Sequence, residues 1–107
     1  MRRYRVFVDG EAVDLQESPA DDGEVALLTT DADFLGAPVL LRARENRVLE
    51  VRVGAARYQA AGRRFLDPAG YDLHPDAVGL VAGVVAQVLS PRCVPSRRAD
   101  EPGFAAR

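Results

Sequence analysis

Residues 76–89 read DAVGLVAGVVAQVL, and after Asp76 the stretch carries no charge. Helical spacing sorts it into two sides, with Gly79, Ala82, Gly83, Ala86 and Ser90 on one stripe and Ala77, Val81, Val84, Val85 and Val88 on the other. Pro75 suits the first helical position, Asp76 complements the helix dipole, and Pro91 stops the helix. A helix lying on one face of a sheet normally keeps a polar back, yet this one offers only Gln87 and Ser90. One side is therefore expected to face the chain's own sheet, with the small stripe able to lie flat and the valine ridge needing cover. The interface candidates are Gly79, Val81, Ala82, Gly83, Val84, Val85, Ala86 and Val88.

The sheet is read from the segments before the helix. Tyr4 to Val8 and Glu11 to Gln16 flank Asp9-Gly10, which supplies the two positive-φ residues of a type I′ turn. That turn sets Val6 against Val13, Tyr4 against Leu15 and Arg5 against Asp14. After a loop-like stretch, Val25 to Thr30 is a short apolar strand, and Asp31 can cap a helical turn through Leu35 that Gly36 ends. Asp31 and Asp33 read as cap and surface residues.

Val39 to Ala43 and Arg47 to Val53 form the next hairpin. For Leu41 and Ala43 to share a face with Leu49, Val51 and Val53 the loop must be odd, so a three-residue loop at Arg44, Glu45 and Asn46 is expected, with Asn46 left-handed. From Gly54 to Leu66 strands are favoured over a rival helix from Ala55 to Leu66. A turn at Gly54-Ala55 sets Val53 against Ala56 and Val51 against Tyr58; another at Ala61-Gly62 sets Tyr58 against Phe65. Asp67-Pro68-Ala69-Gly70 is a turn by composition.

The totals exclude chemistries. The chain has 107 residues, enough for one domain, and a net charge of -2. All fourteen basic residues are arginine, so no lysine is present for a Schiff base, a P-loop or a biotin or lipoyl attachment. A single cysteine, Cys93, forbids an internal disulfide and fits a reducing cytosol. No signal peptide is expected, and the apolar run near residue 80 falls short of the roughly 20 residues that span a bilayer. Charge is uneven: Asp9 to Asp33 holds nine acids and no base, and Arg42 to Arg64 holds seven arginines against Glu45 and Glu50. The two halves are expected to neutralise each other in the fold.

Three groups of residues could carry chemistry. Asp72, His74 and Asp76 alternate around the only histidine and form a partial metal-ligand set, set against a structural reading in which His74 caps the helix. Arg42, Arg52, Arg57 and Arg64 share one sheet face in the strand reading and could grip an anion. Tyr58 and Phe65 point the other way, so the stacking platforms of a nucleic-acid binder are not expected beside them. Ser18, Ser90, Ser96 and Cys93 lie in no nucleophile pattern.

The expected architecture is α+β, an antiparallel meander of five to seven strands packed against one C-terminal helix, with residues 1–90 as the domain and 91–107 as a flexible tail. The expected function is non-catalytic and cofactor-free: a cytoplasmic accessory subunit that self-associates or docks on a larger protein through the helix and a sheet face. The alternatives are a ligand-binding protein or cofactor-free enzyme with a pocket lined by Tyr4, Tyr58, Phe65 and Val84, and an arginine-face nucleic-acid binder.

Overall fold

The computed structural model describes residues 2–20, 23–30 and 34–90. They build one sheet of seven antiparallel strands in meander order, β1 (Arg3–Val8), β2 (Glu11–Pro19), β3 (Glu24–Thr29), β4 (Val39–Arg44), β5 (Arg47–Val53), β6 (Ala56–Ala61) and β7 (Arg64–Leu66). One helix, α1 (Pro75–Val84), follows and continues as a wider π-turn over Val85–Leu89. The expected tail from residue 91 and the expected caps Asp31 and Asp33 lie outside the described residues.

The first hairpin forms as its turn chemistry requires. Asp9 and Gly10 take φ of 51° and 81°, and the pairs Val6↔Val13, Tyr4↔Leu15 and Arg5↔Asp14 follow. β3 then brings Leu27 between Glu17 and Leu41. Buried Thr29 accepts the Val39 N–H through Oγ1 at 2.9 Å, tying β3 to the start of β4. Phe34 and Leu35 bend rather than continue a helical turn, and pack half-buried against the core; Gly36 turns the chain at φ 72°.

The β4–β5 hairpin departs from the expected loop. Its connection is two residues, Glu45 and Asn46, and Glu45 rather than Asn46 takes the positive φ, 55°. The odd residue sits in β5 as a bulge: Arg42 pairs with Glu50 and Ala43 with Val48, leaving Leu49 unpaired. Face parity is satisfied either way, but the bulge puts Val48 in the core and leaves Leu49 half-buried.

Residues 54–66 form strands, with Val53↔Ala56 and Val51↔Tyr58 across Gly54 as expected. The next turn falls one residue later than expected, at Gly62-Arg63, so Phe65 meets Ala60 instead of Tyr58. Gly62 takes φ 64° at the first turn position, which a turn at Ala61-Gly62 would have forced on alanine. Phe65 stays on the side of Tyr58, because 58 and 60 share a face.

Beyond β7 the Asp67 carboxylate accepts the N–H groups of Ala69 and Tyr71 at 2.9 and 2.8 Å. Asp72 bridges to Leu66 and the Leu73 N–H donates to the Phe65 carbonyl at 2.9 Å, which anchors the crossing to α1. His74 caps α1: its Nδ1 accepts the Asp76 N–H at 3.1 Å, and Pro75 opens the first turn.

Ala77, Leu80, Val81, Val84, Val88 and Leu89 are buried in one cluster with Val6, Val13, Leu15, Leu27, Leu41 and Val51 of the sheet. It is thus the valine side that faces the sheet. The small stripe leans on β1, where a Cβ at Gly79 would stand 3.2 Å from Val8 and one at Gly83 3.5 Å from the Phe7 carbonyl. Val78, Ala82 and Ala86 face solvent. A back made largely of alanine exposes little apolar area, so the missing polar residues cost less than their absence suggests.

Candidate binding face

With the helix on the inner face, every second strand residue points to the outer face, which no described helix or strand covers. Glu50 is on that side and is nevertheless only 5% exposed. Its Oε1 lies 3.1 Å from Arg42 Nε, and its Oε2 accepts from Arg52 Nε at 3.0 Å and pairs with Arg57 Nε at 2.9 Å. β4, β5 and β6 each supply one of these arginines. Arg42 also donates from Nη1 to Glu24 at 3.1 Å, and Arg44 donates from Nη2 to the other oxygen at 3.2 Å. The acidic and basic halves of the sequence do meet, where β3 lies beside β4. Four guanidiniums and two carboxylates leave this patch positive.

The arrangement follows from the strands. Arg52 and Arg57 stand directly opposite each other, a like-charge pair that would be unfavourable alone. Glu50, two residues along β5, reaches both. The arginine stems cover its carboxylate, so a charge on an open face becomes buried. Arg42 Nε is itself buried and makes no hydrogen bond, since its N–H is not aligned with the Glu50 oxygen 3.1 Å away. Beside the cluster lie the paired Leu28 and Leu40, with Leu28 43% exposed, and a recess of about 100 Å³ between Ala20, Ala26, Leu40, Arg42, Glu50 and Arg52.

Of the four arginines expected on one anion face, Arg42, Arg52 and Arg57 converge. Arg64 stands apart at β7 in a two-pronged pair with Asp72, 2.9 Å on each oxygen. That hydrogen bonding holds the exposed Asp72 carboxyl below the usual carboxylate range and raises Arg64. Arg5 and Asp14 form the matching pair on the first hairpin, at 2.7 Å, with the same directions of shift.

The other expected sites are dispersed. Asp72 turns to Arg64, whereas His74 is engaged as helix cap with the Asp76 carboxylate 3.9 Å away. Among the described residues no three of His, Cys, Asp or Glu gather as metal ligands would. Of the helix candidates, Val81, Val84 and Val88 are buried against the chain's own sheet, Val85, Gly79 and Gly83 are half-buried, and Ala82 and Ala86 are exposed. Tyr4 and Phe65 line two separate surface recesses, of about 380 and 340 Å³, and Val84 is fully buried. Among the described residues no helix is long and apolar enough to cross a membrane.

Alternation places Glu50 among these arginines, but its burial at their centre is not expected from sequence. Its sequence signal is an acid one strand position from Arg52 on the same face; its place opposite Arg42 comes from the bulge in β5. Compared with known proteins, the chain matches no family model, and no curated protein or solved structure matches it significantly.

Proposed function

We propose that this chain is a non-catalytic interaction module, an accessory subunit that docks on an acidic surface of a larger protein through the outer face of its sheet. The observation that carries the reading is the fixing of Arg42, Arg52 and Arg57 on buried Glu50, beside exposed Leu28 and its half-buried partner Leu40. An apolar patch with arginine along one side has residue types that protein interfaces favour. Arginines already held in place lose less side-chain freedom on binding than free ones. A second copy of the same face would set arginine against arginine, which favours a partner of opposite charge. The narrow exposed strip of α1, Val78, Ala82 and Ala86, is a smaller surface and takes second place to the sheet.

The test is charge reversal with the fold monitored. Arg52→Glu with Arg57→Glu should abolish capture of partners that the unaltered chain retains from its source cells, and light scattering should show an unaltered monomer mass for both. Equal capture by both proteins, or a stable homodimer, would count against the reading.

A ligand-binding reading has one observation in its favour. The recess of about 340 Å³ beside the start of α1 combines Phe65, Leu73, Pro75 and Val78 with the Arg64–Asp72 pair and with Arg63, which is the arginine left to meet an acid. It suits a small apolar acid. Chemical shifts of Phe65 and Val78 during titration with short fatty acids would reveal such binding, and unmoved shifts would dismiss it.

A further inference from the structure

β1 is an edge strand whose outward main-chain groups can be assigned from the hairpin. A two-residue turn makes Val8↔Glu11 a hydrogen-bonded pair, so Val6↔Val13 and Tyr4↔Leu15 are too, and Arg3, Arg5 and Phe7 direct their N–H and C=O away from β2. Two further bonds agree with this phase: the Arg2 carbonyl accepts the Glu17 N–H at 2.8 Å, and the Asp14 carbonyl, opposite Arg5, accepts from Thr30 on the β3 side at 3.1 Å. At Phe7 the open edge is already occupied. Gln87 Oε1 accepts the Phe7 N–H and Gln87 Nε2 donates to the Phe7 carbonyl, both at 3.2 Å, so one side-chain amide stands where a neighbouring strand's peptide would stand.

Among the described residues what remains open is Arg3 to Arg5, and its chemistry selects an occupant. Residues 2–8 read RRYRVFV, with three arginines and no acid; Asp14 of β2 pairs with Arg5 at 2.7 Å, one carboxylate against three guanidiniums, so the edge stays positive. Self-pairing of two such edges would bring Arg3 and Arg5 against their own copies, a charge clash that natural edges use to prevent aggregation. The chain's own sequence after Ser90 is no better suited: Pro91, Pro95 and Pro102 lack an N–H, Arg92, Arg97 and Arg98 repeat the charge, and its two acids, Asp100 and Glu101, are adjacent and would point to opposite faces of a strand. A recess of about 380 Å³ lined by Arg3, Tyr4, Arg5, Asp14, Leu15 and Thr30 lies alongside and has room for side chains. We propose that β1 accepts an extended acidic segment of a partner protein as an added antiparallel strand over Arg3–Arg5, with Gln87 as the stop that ends the pairing at Phe7. This site is separate from the arginine cluster around Glu50 and does not depend on it.

In antiparallel addition the residues facing Arg3 and Arg5 point their side chains to the arginine side and their N–H groups at β1. The probe is a capped heptapeptide of alternating glutamate and valine, titrated into the isotope-labelled full chain. Amide exchange at Arg3 and Arg5 should slow, and a peptide with lysine for glutamate should not bind. N-methylation of the glutamates keeps the charge but removes the main-chain donors; it should weaken binding about tenfold or more, as two lost hydrogen bonds imply, while N-methylation of the valines should not. In Gln87→Ala the edge at Phe7 is freed, and a peptide longer by two residues should gain affinity that it does not gain with the unaltered chain. Equal binding of the two N-methylated peptides, or shifts centred on Arg52 and Arg57 instead of β1, would overturn the proposal.

Discussion

Glu50 holds Arg57 across the β5–β6 pair at 2.9 Å, from a carboxylate that is 5% exposed on the open side of the sheet. Without it, Arg52 and Arg57 would face each other with like charge unrelieved. Glu50→Gln keeps the shape and removes the charge, leaving three guanidiniums around a neutral amide. Loss of one partner from a buried ion pair costs about 3–5 kcal/mol, but these arginines are roughly half exposed, so about 1–3 kcal/mol is expected after screening. Urea unfolding measures it. A midpoint unchanged from the parent would show that the cluster is a solvated face.

The Arg64–Asp72 pair fixes a direction for acid sensitivity. Hydrogen bonding by Arg64 depresses the Asp72 carboxyl in the folded chain, so the pair's stabilisation is complete above the unfolded carboxylate value of about 3.9 and is lost as pH falls through the lower folded value. Asp14 beside Arg5 has the same sign. Both pairs lie at the surface in contact with water, so their share of stability is small. Carbon-detected titration of Asp72 should give a midpoint below the reference, and Arg64→Ala should return it upward. An unmoved midpoint would mean that the pair does not persist in solution.

Much of this fold is legible where one residue type dictates one backbone state. Asp9-Gly10 sets the first hairpin, and alternation of Val6, Val8, Val13 and Leu15 then decides which face is core. The bulge at Leu49 is not legible, because a three-residue loop and a bulged strand meet the same parity requirement and only packing of Val48 separates them. Nor could periodicity tell which side of α1 meets the sheet, since neither side is polar; the larger valines fill the space and the glycines sit against β1. At the candidate site the arginine face was readable from alternation. The burial of Glu50 was not, because it comes from side chains on three strands closing over one carboxylate.

Gly62 tests the explanation for the displaced turn. It takes φ 64°, and a Cβ there would meet nothing within 4 Å, so any cost of Gly62→Ala is conformational and not steric. About 1 kcal/mol of destabilisation is expected, with Gly62→Asn nearer the parent because asparagine tolerates the left-handed region. Equal stability of the alanine and asparagine variants would show that positive φ does not set this turn.

Gly83 separates helix propensity from packing against the edge strand. A Cβ there would stand 3.4 Å from Gln87 Nε2, 3.5 Å from the Phe7 carbonyl and 3.7 Å from Val8, which are ordinary contacts. Gly83→Ala should therefore gain most of the helix preference of alanine, up to about 1 kcal/mol. Gly83→Leu has the same backbone benefit but must place a branched side chain where Phe7, Val8 and the Gln87 amide already meet. About 1–3 kcal/mol of overpacking cost is expected, and the Gln87 side chain should be displaced. Melting temperature reads the first effect, and the amide exchange rate of Phe7 reads the second, because that N–H is protected through Gln87. The variants should move stability in opposite directions, with faster Phe7 exchange in the leucine variant alone. If leucine is accepted without either change, α1 does not lie against β1 in solution as closely as these distances require.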